Sequence, residues 1–282
     1  SSLFIVAAPL LGAYLTEKWS WHWIFLINLP FACLGVVLAF YLLPVNPKTA
    51  PPLLSKMSLF LFLLFSTLLI VGIMQAPLWG FQSPTVLLCI FLGFFFFLLF
   101  LLNEKKTHAP FNTLVPLANL RFQSLNIAIC IAQFVLMVTV YRALFFQETL
   151  LWTPIQSATI SLFGALPLLF APPLAGFLTD KFRPQHILFI GLLCLALSFF
   201  SLPTLLFSSF PLFLIAIMLF GVGICFILTP AYASIMQIVH TEKAGVVFGF
   251  IALLRSFASS LSIALVATFS LYTQQVYFSH YV

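Results

Sequence analysis

Nine apolar stretches separated by short polar breaks run through this chain, at residues 1–15, 23–43, 58–75, 85–102, 125–146, 160–178, 186–203, 212–229 and 246–271. A helix needs about 20 apolar residues to cross roughly 30 Å of hydrocarbon, and most of these stretches meet or approach that length. Charged residues make up 6% of the chain, against roughly 25% in a soluble domain. Hydrophobic residues reach 63%, with 36 Phe among 282 residues, more apolar surface than a water-soluble fold of this size can hide. Lipid is therefore the solvent for most of the chain. The expected fold class is all-α, a polytopic membrane protein of about nine transmembrane helices. Strand-like alternation of apolar and polar residues is absent, which argues against a membrane β-barrel.

The breaks "PVNPKTAPP", "QAPLWGFQSP", "NEKKTHAP", "LWTP" and "SLP" carry the Pro, Gly and polar residues that interrupt helices. The stretch "WSWHW" at Trp19–Trp23 crowds three Trp and one His between two apolar runs, and it reads as a membrane-surface loop with its rings at headgroup level. Trp79 and Trp152 read the same way. The first span is short, rising only about 22 Å. It starts at Ser-Ser with no basic region ahead of it, so the expectation is a fragment cut inside a helix rather than a signal peptide. Cys33, Cys89, Cys130, Cys194 and Cys225 all sit in apolar runs without a CxxC pair and read as small packing residues. No metal ligand set or cofactor motif is found. The net charge of +6 is scattered singly and in pairs rather than in a stripe, so nucleic acid is not an expected partner.

Loop charge sets the orientation. One side receives Lys18 alone, and the other receives Lys48, Lys56, Lys105, Lys106, Arg121, Lys181, Arg183 and Lys243, with Arg142 and Arg255 left inside spans. The basic side is cytoplasmic. In a cysteine-free background, Cys replacing Thr107 is expected to react only from the cytoplasmic side and Cys replacing Ser83 only from outside. Labelling of both from one side would end the nine-span topology.

Several residues stand out within this frame. Ala8, Pro9, Gly12 and Ala13 place small residues and a Pro on one helix. They serve either ordinary tight packing or a close backbone approach that matters to a transport path. Asp180 lies at a cytoplasmic turn beside Lys181 and Arg183. A carboxylate near the following helix N-terminus is favoured by the helix dipole, and the basic pair can meet it or anionic lipid. Arg255 falls about 14 Å into its span, where a cation needs a polar cavity or partner. Ser259 and Ser262 follow on the same face. Asn126, Cys130, Gln133, Met137 and Tyr141 fall within an arc of about 80°. Of these, Asn126, Gln133 and Tyr141 are expected to face a cavity, with Arg255, Ser259 and Ser262. Arg142 is a second intramembrane charge, either a headgroup anchor near its helix end or an interhelix partner. Depth and facing rank Arg255→Ala as the more damaging change, ahead of Arg142→Ala. Glu17, Glu104, Glu148, Asp180 and Glu242 all fall at loops or rims, so the sequence places no carboxylate in mid-span.

Three segments resemble the fourteen-helix drug:proton antiporters of the major facilitator superfamily, the EmrB/QacA type. Ala8-Pro9-Leu10-Leu11-Gly12-Ala13 is similar to that family's G-P-x-x-G-G, with Ala in place of two glycines. Trp21-His22-Trp23-Ile24-Phe25 and Asn28-Leu29-Pro30 are similar to W-R-W-I-F-x-I-N-x-P, with His22 where Arg is usual. Gly176, Asp180 and Lys181 match the start of the loop signature G-x-x-x-D-R/K-x-G-R/K-R/K, while Arg183, Pro184 and Gln185 replace its end. "GVVFGFIALLRSFASSLSIAL" resembles the thirteenth helix, with Arg255 in the family's Arg position.

The resemblance implies a major facilitator helical bundle in which the chain covers helices five to thirteen. Residues 1–43 would be the last two helices of the N-terminal bundle, 44–122 two linker helices and cytoplasmic loops, and 123–282 a C-terminal bundle lacking its last helix. It implies that Ala8–Ala13 seal the pathway between exchange steps and that Gly176, Asp180, Lys181 and Arg183 latch two helix ends. It also implies proton-driven efflux of amphipathic drugs by alternating access in a bacterial inner membrane. The partners would be a small-molecule substrate, protons, the lipid bilayer and, as an optional one, a periplasmic adaptor protein. The coupling carboxylate would lie in the missing first four helices, and residues 1–282 alone are expected not to transport. The alternatives are a carrier of one specific metabolite and a nonfunctional truncated remnant. An intramembrane enzyme is disfavoured, because His22, His108, His186, His240 and His280 all lie outside mid-span.

Overall fold

The structure, a computed structural model, describes residues 2–42, 56–106, 119–239 and 244–281. Lys48, Thr107, His108, His240, Glu242 and Lys243, which enter the charge, labelling and acid–base arguments, lie outside them. The helices in chain order are α1 Ser2–Lys18, α2 His22–Leu26, α3 Asn28–Leu42, α4 Lys56–Trp79, α5 Pro84–Lys106, α6 Leu120–Glu148, α7 Pro154–Ala165, α8 Pro167–Lys181, α9 Pro184–Ser208, α10 Phe210–Ile238 and α11 Ala244–Tyr281. α2 runs on into α3, and α7 into α8, as single apolar segments. On that basis 8 segments among the described residues are long and apolar enough to cross a bilayer. The chain is an all-helical, multi-pass membrane protein. The remaining expected span, α1, is a 17-residue helix. It is about 25 Å long and falls below the length of the other spans.

Several boundaries differ from the sequence expectation, and two of them have a clear local reason. The span expected at 160–178 begins at Pro154. Thr153 caps it: the Gln156 N–H donates to the Thr153 hydroxyl at 3.3 Å, and the Thr153 N–H donates to Gln156 Oε1 at 2.9 Å. Pro154 occupies the first helical position, where no N–H is needed. The span expected to stop at 229 continues through Pro230 to Ile238. Pro230 removes one helix bond, but the turn beyond it buries Ala231, Ser234 and Ile235, and that packing carries the helix past the interruption.

The chain forms two compact units that are not consecutive in sequence. The first comprises Ser1–Pro51 with Arg142–Pro230, and the second Pro52–Tyr141 with Ala231–Val282.

In the first unit α1 packs on α7 and α8. Phe146, Ile160, Phe213 and Ile217 form one buried cluster, and half-buried Trp152 packs 5.0 Å from the Phe146 ring. Trp152 thus joins a packed cluster, whereas Trp19 and Trp79 are exposed as belt residues would be. The helix is interrupted between α7 and α8 at Leu166, where Pro167 offers no N–H to the Phe163 carbonyl. α10 is approached closely from two sides. A Cβ added to Gly221 would collide with the Gly164 carbonyl oxygen, and one on Gly223 would lie 2.9 Å from the Gly191 carbonyl oxygen. Ser198 on α9 donates to the Ala216 carbonyl at 2.7 Å. By contrast, every residue of α3 is exposed.

In the second unit α4 packs along α5 and against α11. Phe62, Phe65, Phe97, Phe100 and, from α11, Phe257 meet with centroid separations of 5.1–6.5 Å. Such tilted and edge-on pairs add favourable ring electrostatics to dispersion. Thr268 on α11 donates to the Ile73 carbonyl of α4 at 2.7 Å. Asn103 on α5 donates to Ser58 on α4 at 2.9 Å.

Candidate functional site

The polar residues singled out on α6 and α11 belong to the second unit, and most of them are engaged. Ser262 is fully buried and donates to the Phe134 carbonyl at 2.7 Å. The Tyr141 hydroxyl donates to the Ile263 carbonyl at 3.2 Å. These two bonds clamp α6 to α11. Asn126 and Gln133 are buried on α6. Asn126 Nδ2 reaches the Phe122 carbonyl at 3.4 Å, while its Oδ1 has no hydrogen-bond partner.

Arg255 is exposed on α11, and its Nη1 donates to the Tyr232 hydroxyl at 3.1 Å. Ser259 donates to the Arg255 carbonyl at 3.0 Å. The Tyr232 ring lies 6.2 Å from that of Phe248. The sequence reading missed Tyr232, because it lies beyond Pro230, where the span was expected to end. A polar residue two places past a helical Pro was the available signal.

Removing either clamp hydroxyl should weaken helix association without touching a free cavity group. Tyr141→Phe and Ser262→Ala are each expected to lower stability by about 0.5–2 kcal/mol. Thermal melting of detergent-purified protein reads this, and transport at matched expression should change little. Transport lost at unchanged stability would place the two side chains in the pathway instead.

The other candidates lie in the first unit. On α1, Ala8 is exposed, while Pro9, Gly12 and Ala13 are half-buried. A Cβ added to Gly12 meets nothing within 4 Å, so among the described residues no close backbone approach is made there. The same holds at Gly176. Asp180 and Lys181 form the exposed last turn of α8, and the Lys181 ammonium lies 4.3 Å over the Phe177 ring. Arg183 is the exposed N-cap residue of α9.

Arg142 lies deeper than its place near the end of α6 suggests. It is half-buried, its Nε is buried with no hydrogen-bond partner, and its guanidinium lies 5.5 Å over the Phe220 ring of α10. Depth therefore does not separate Arg142 from Arg255. A groove of about 310 Å³ opens near the starts of α7 and α10, lined by Trp152, Ile155, Gln156, Thr159, Ile160 and Phe210. Gln156 is committed to its cap, and Thr159 donates to the Ile155 carbonyl at 2.8 Å. The groove is left with a mainly apolar wall.

Buried hydroxyls bonded to carbonyls of facing helices, glycine-mediated crossings and lipid-length spans together define a polytopic helical membrane protein. Residues 1–263 match the Major Facilitator Superfamily, and the chain belongs to that superfamily. It is 26% identical over 288 residues to the riboflavin transporter RibZ of Clostridioides difficile, a match covering 98% of this chain and 60% of that protein. It is 23% identical over 273 residues to the multidrug resistance protein Stp of Mycobacterium tuberculosis, covering 95% of this chain and 50% of Stp. The lincomycin resistance protein LmrB of Bacillus subtilis is 26% identical over 208 residues, covering 71% of this chain and 43% of LmrB. The chain thus spans about half the length of the curated relatives it matches.

Proposed function

We propose that the complete protein is a proton-driven exporter of amphipathic small molecules that works by alternating access. The observation that carries this reading is the superfamily match together with relatives named for resistance to multiple drugs and to lincomycin. The Pro9–Gly12 segment supports export over uptake through its resemblance to the antiporter type. In this reading the chain corresponds to helices five to thirteen of a fourteen-helix carrier in a bacterial inner membrane. Residues 1–43 close the N-terminal bundle, 44–122 form the linker helices and 123–282 enter the C-terminal bundle. Asn126, Gln133, Arg255 and Ser259 border the path, while Gly176, Asp180, Lys181 and Arg183 steady the cytoplasmic helix ends. The proton-loading carboxylate comes from helices beyond these residues, and a periplasmic adaptor is an optional partner.

Inverted vesicles carrying the complete protein test the proposal. They are expected to accumulate an amphipathic dye when acidified inside, and to stop when a protonophore collapses the gradient. Accumulation indifferent to the gradient would refute proton coupling. The riboflavin transporter among the relatives, matched over 98% of this chain, favours a second reading as a carrier of one specific metabolite. Saturable transport of a single aromatic metabolite, with dyes excluded, would select it.

A further inference from the structure

Arg142 occupies an unusual position for a charge within the first unit. Its Nη2 lies 3.6 Å from where a Cβ on Gly164 would stand, and its guanidinium carbon lies 5.5 Å over the Phe220 ring. Gly164 and Phe220 each stand 10 residues inside helices that begin at Pro154 and Phe210. The loop-charge topology puts both of those helix starts on the outer side. At 1.5 Å per residue both neighbours therefore lie about 15 Å along their helices from those outer starts, inside segments long enough to cross a hydrocarbon layer about 30 Å thick. The direction of the side chain agrees. Side chains lean toward the N-terminus of their own helix. α6 starts on the cytoplasmic side, so Arg142 leans inward, away from the headgroups beyond Glu148.

Among the described residues of this unit no acidic side chain answers it there. Glu17, Glu148 and Asp180, the acidic side chains described in this unit, are all exposed at helix ends. The Phe220 face gives a cation–π contact, but a ring accepts no in-plane N–H bond. The guanidinium carries five N–H donors in a rigid fork, and its buried Nε is without a partner. A fork of donors in low dielectric matches a carboxylate, which accepts two parallel N–H bonds.

We propose that Arg142 anchors the carboxylate of an amphipathic organic acid. This rests on the exporter reading and narrows its substrates to those carrying an anionic group. The competing source of an anion at this depth is a carboxylate of the protein itself, and the test separates the two.

Rhodamine B and its ethyl ester share the same cationic ring system and differ in a free or blocked benzoate. Binding of each to the purified complete protein is followed by fluorescence anisotropy. The wild type is expected to hold the acid about tenfold tighter than the ester. Arg142→Gln should abolish that preference while leaving ester affinity within about twofold, and Arg142→Lys should keep only part of it. No preference in the wild type, or an unchanged one in Arg142→Gln, overturns the proposal. Equal weakening for both dyes, the signature of a broken ion pair within the protein, overturns it as well. Should Arg142→Gln fail to fold, an undiminished preference in Arg142→Lys overturns it. Export of both dyes without acid preference removes the anion site and leaves the exporter reading standing. Acid preference in binding with export of neither dye does the reverse.

Discussion

Gly221→Ala is expected to destabilise the protein by about 1–3 kcal/mol, and Gly221→Val by more. A Cβ at this position would collide with the Gly164 carbonyl oxygen and lie 3.0 Å from Pro167 Cγ. Both obstacles are rigid, one a backbone oxygen near the end of α7 and the other a proline ring at the start of α8. No side-chain rotation relieves the overlap, so α10 must part from α7 and α8, with loss of the surrounding dispersion contacts. Gly176→Ala and Gly249→Ala serve as controls, since a Cβ at either meets nothing within 4 Å. On helix propensity alone they should be neutral or slightly stabilising. Thermal melting in detergent, followed by a thiol dye that reports exposure of buried Cys225 in a background lacking the other four cysteines, measures all three. A Gly221→Ala protein as stable as the controls would mean that the crossing is looser than described.

Arg255→Ala is expected to lower transport by the complete protein about tenfold or more at matched membrane levels. The residue stands 11 positions into α11, about 16 Å along the helix, where a cation persists only with a polar partner or water. Tyr232 is that partner in this structure, at 3.1 Å. Tyr232→Phe removes the acceptor and keeps the ring, so its effect should be smaller and of the same kind. The double variant should be no worse than Arg255→Ala, because the two side chains act as one unit. Arg255→Lys keeps the charge but not the fork and should retain partial activity if charge is what matters. Equal transport by wild type and Arg255→Ala would make Arg255 a structural residue.

What lipid demands of a chain is written plainly in this sequence. Long uncharged runs, Pro- and Gly-bearing breaks and a one-sided distribution of Lys and Arg carry the spans and a topology for them, because a segment in hydrocarbon must satisfy its own backbone. The start of α7 was legible too, since Thr153 and Gln156 stand at capping-box spacing. It was passed over because Pro154 reads as a breaker as readily as a first helical residue. What the apolar runs do not carry is which face of each helix meets a neighbour. In water that face is marked by contrast between oily and polar sides, whereas lipid tails are as apolar as the core and erase the contrast. The approach of Gly221 to Gly164, the bonds from Ser262 and Tyr141 to carbonyls of the facing helix, and the pairing of Arg255 with Tyr232 across a helical Pro were therefore decided by the tertiary structure. So was the setting of Arg142 over the Phe220 ring, because residue spacing gives the distance to a helix end but not the neighbours that a long side chain meets.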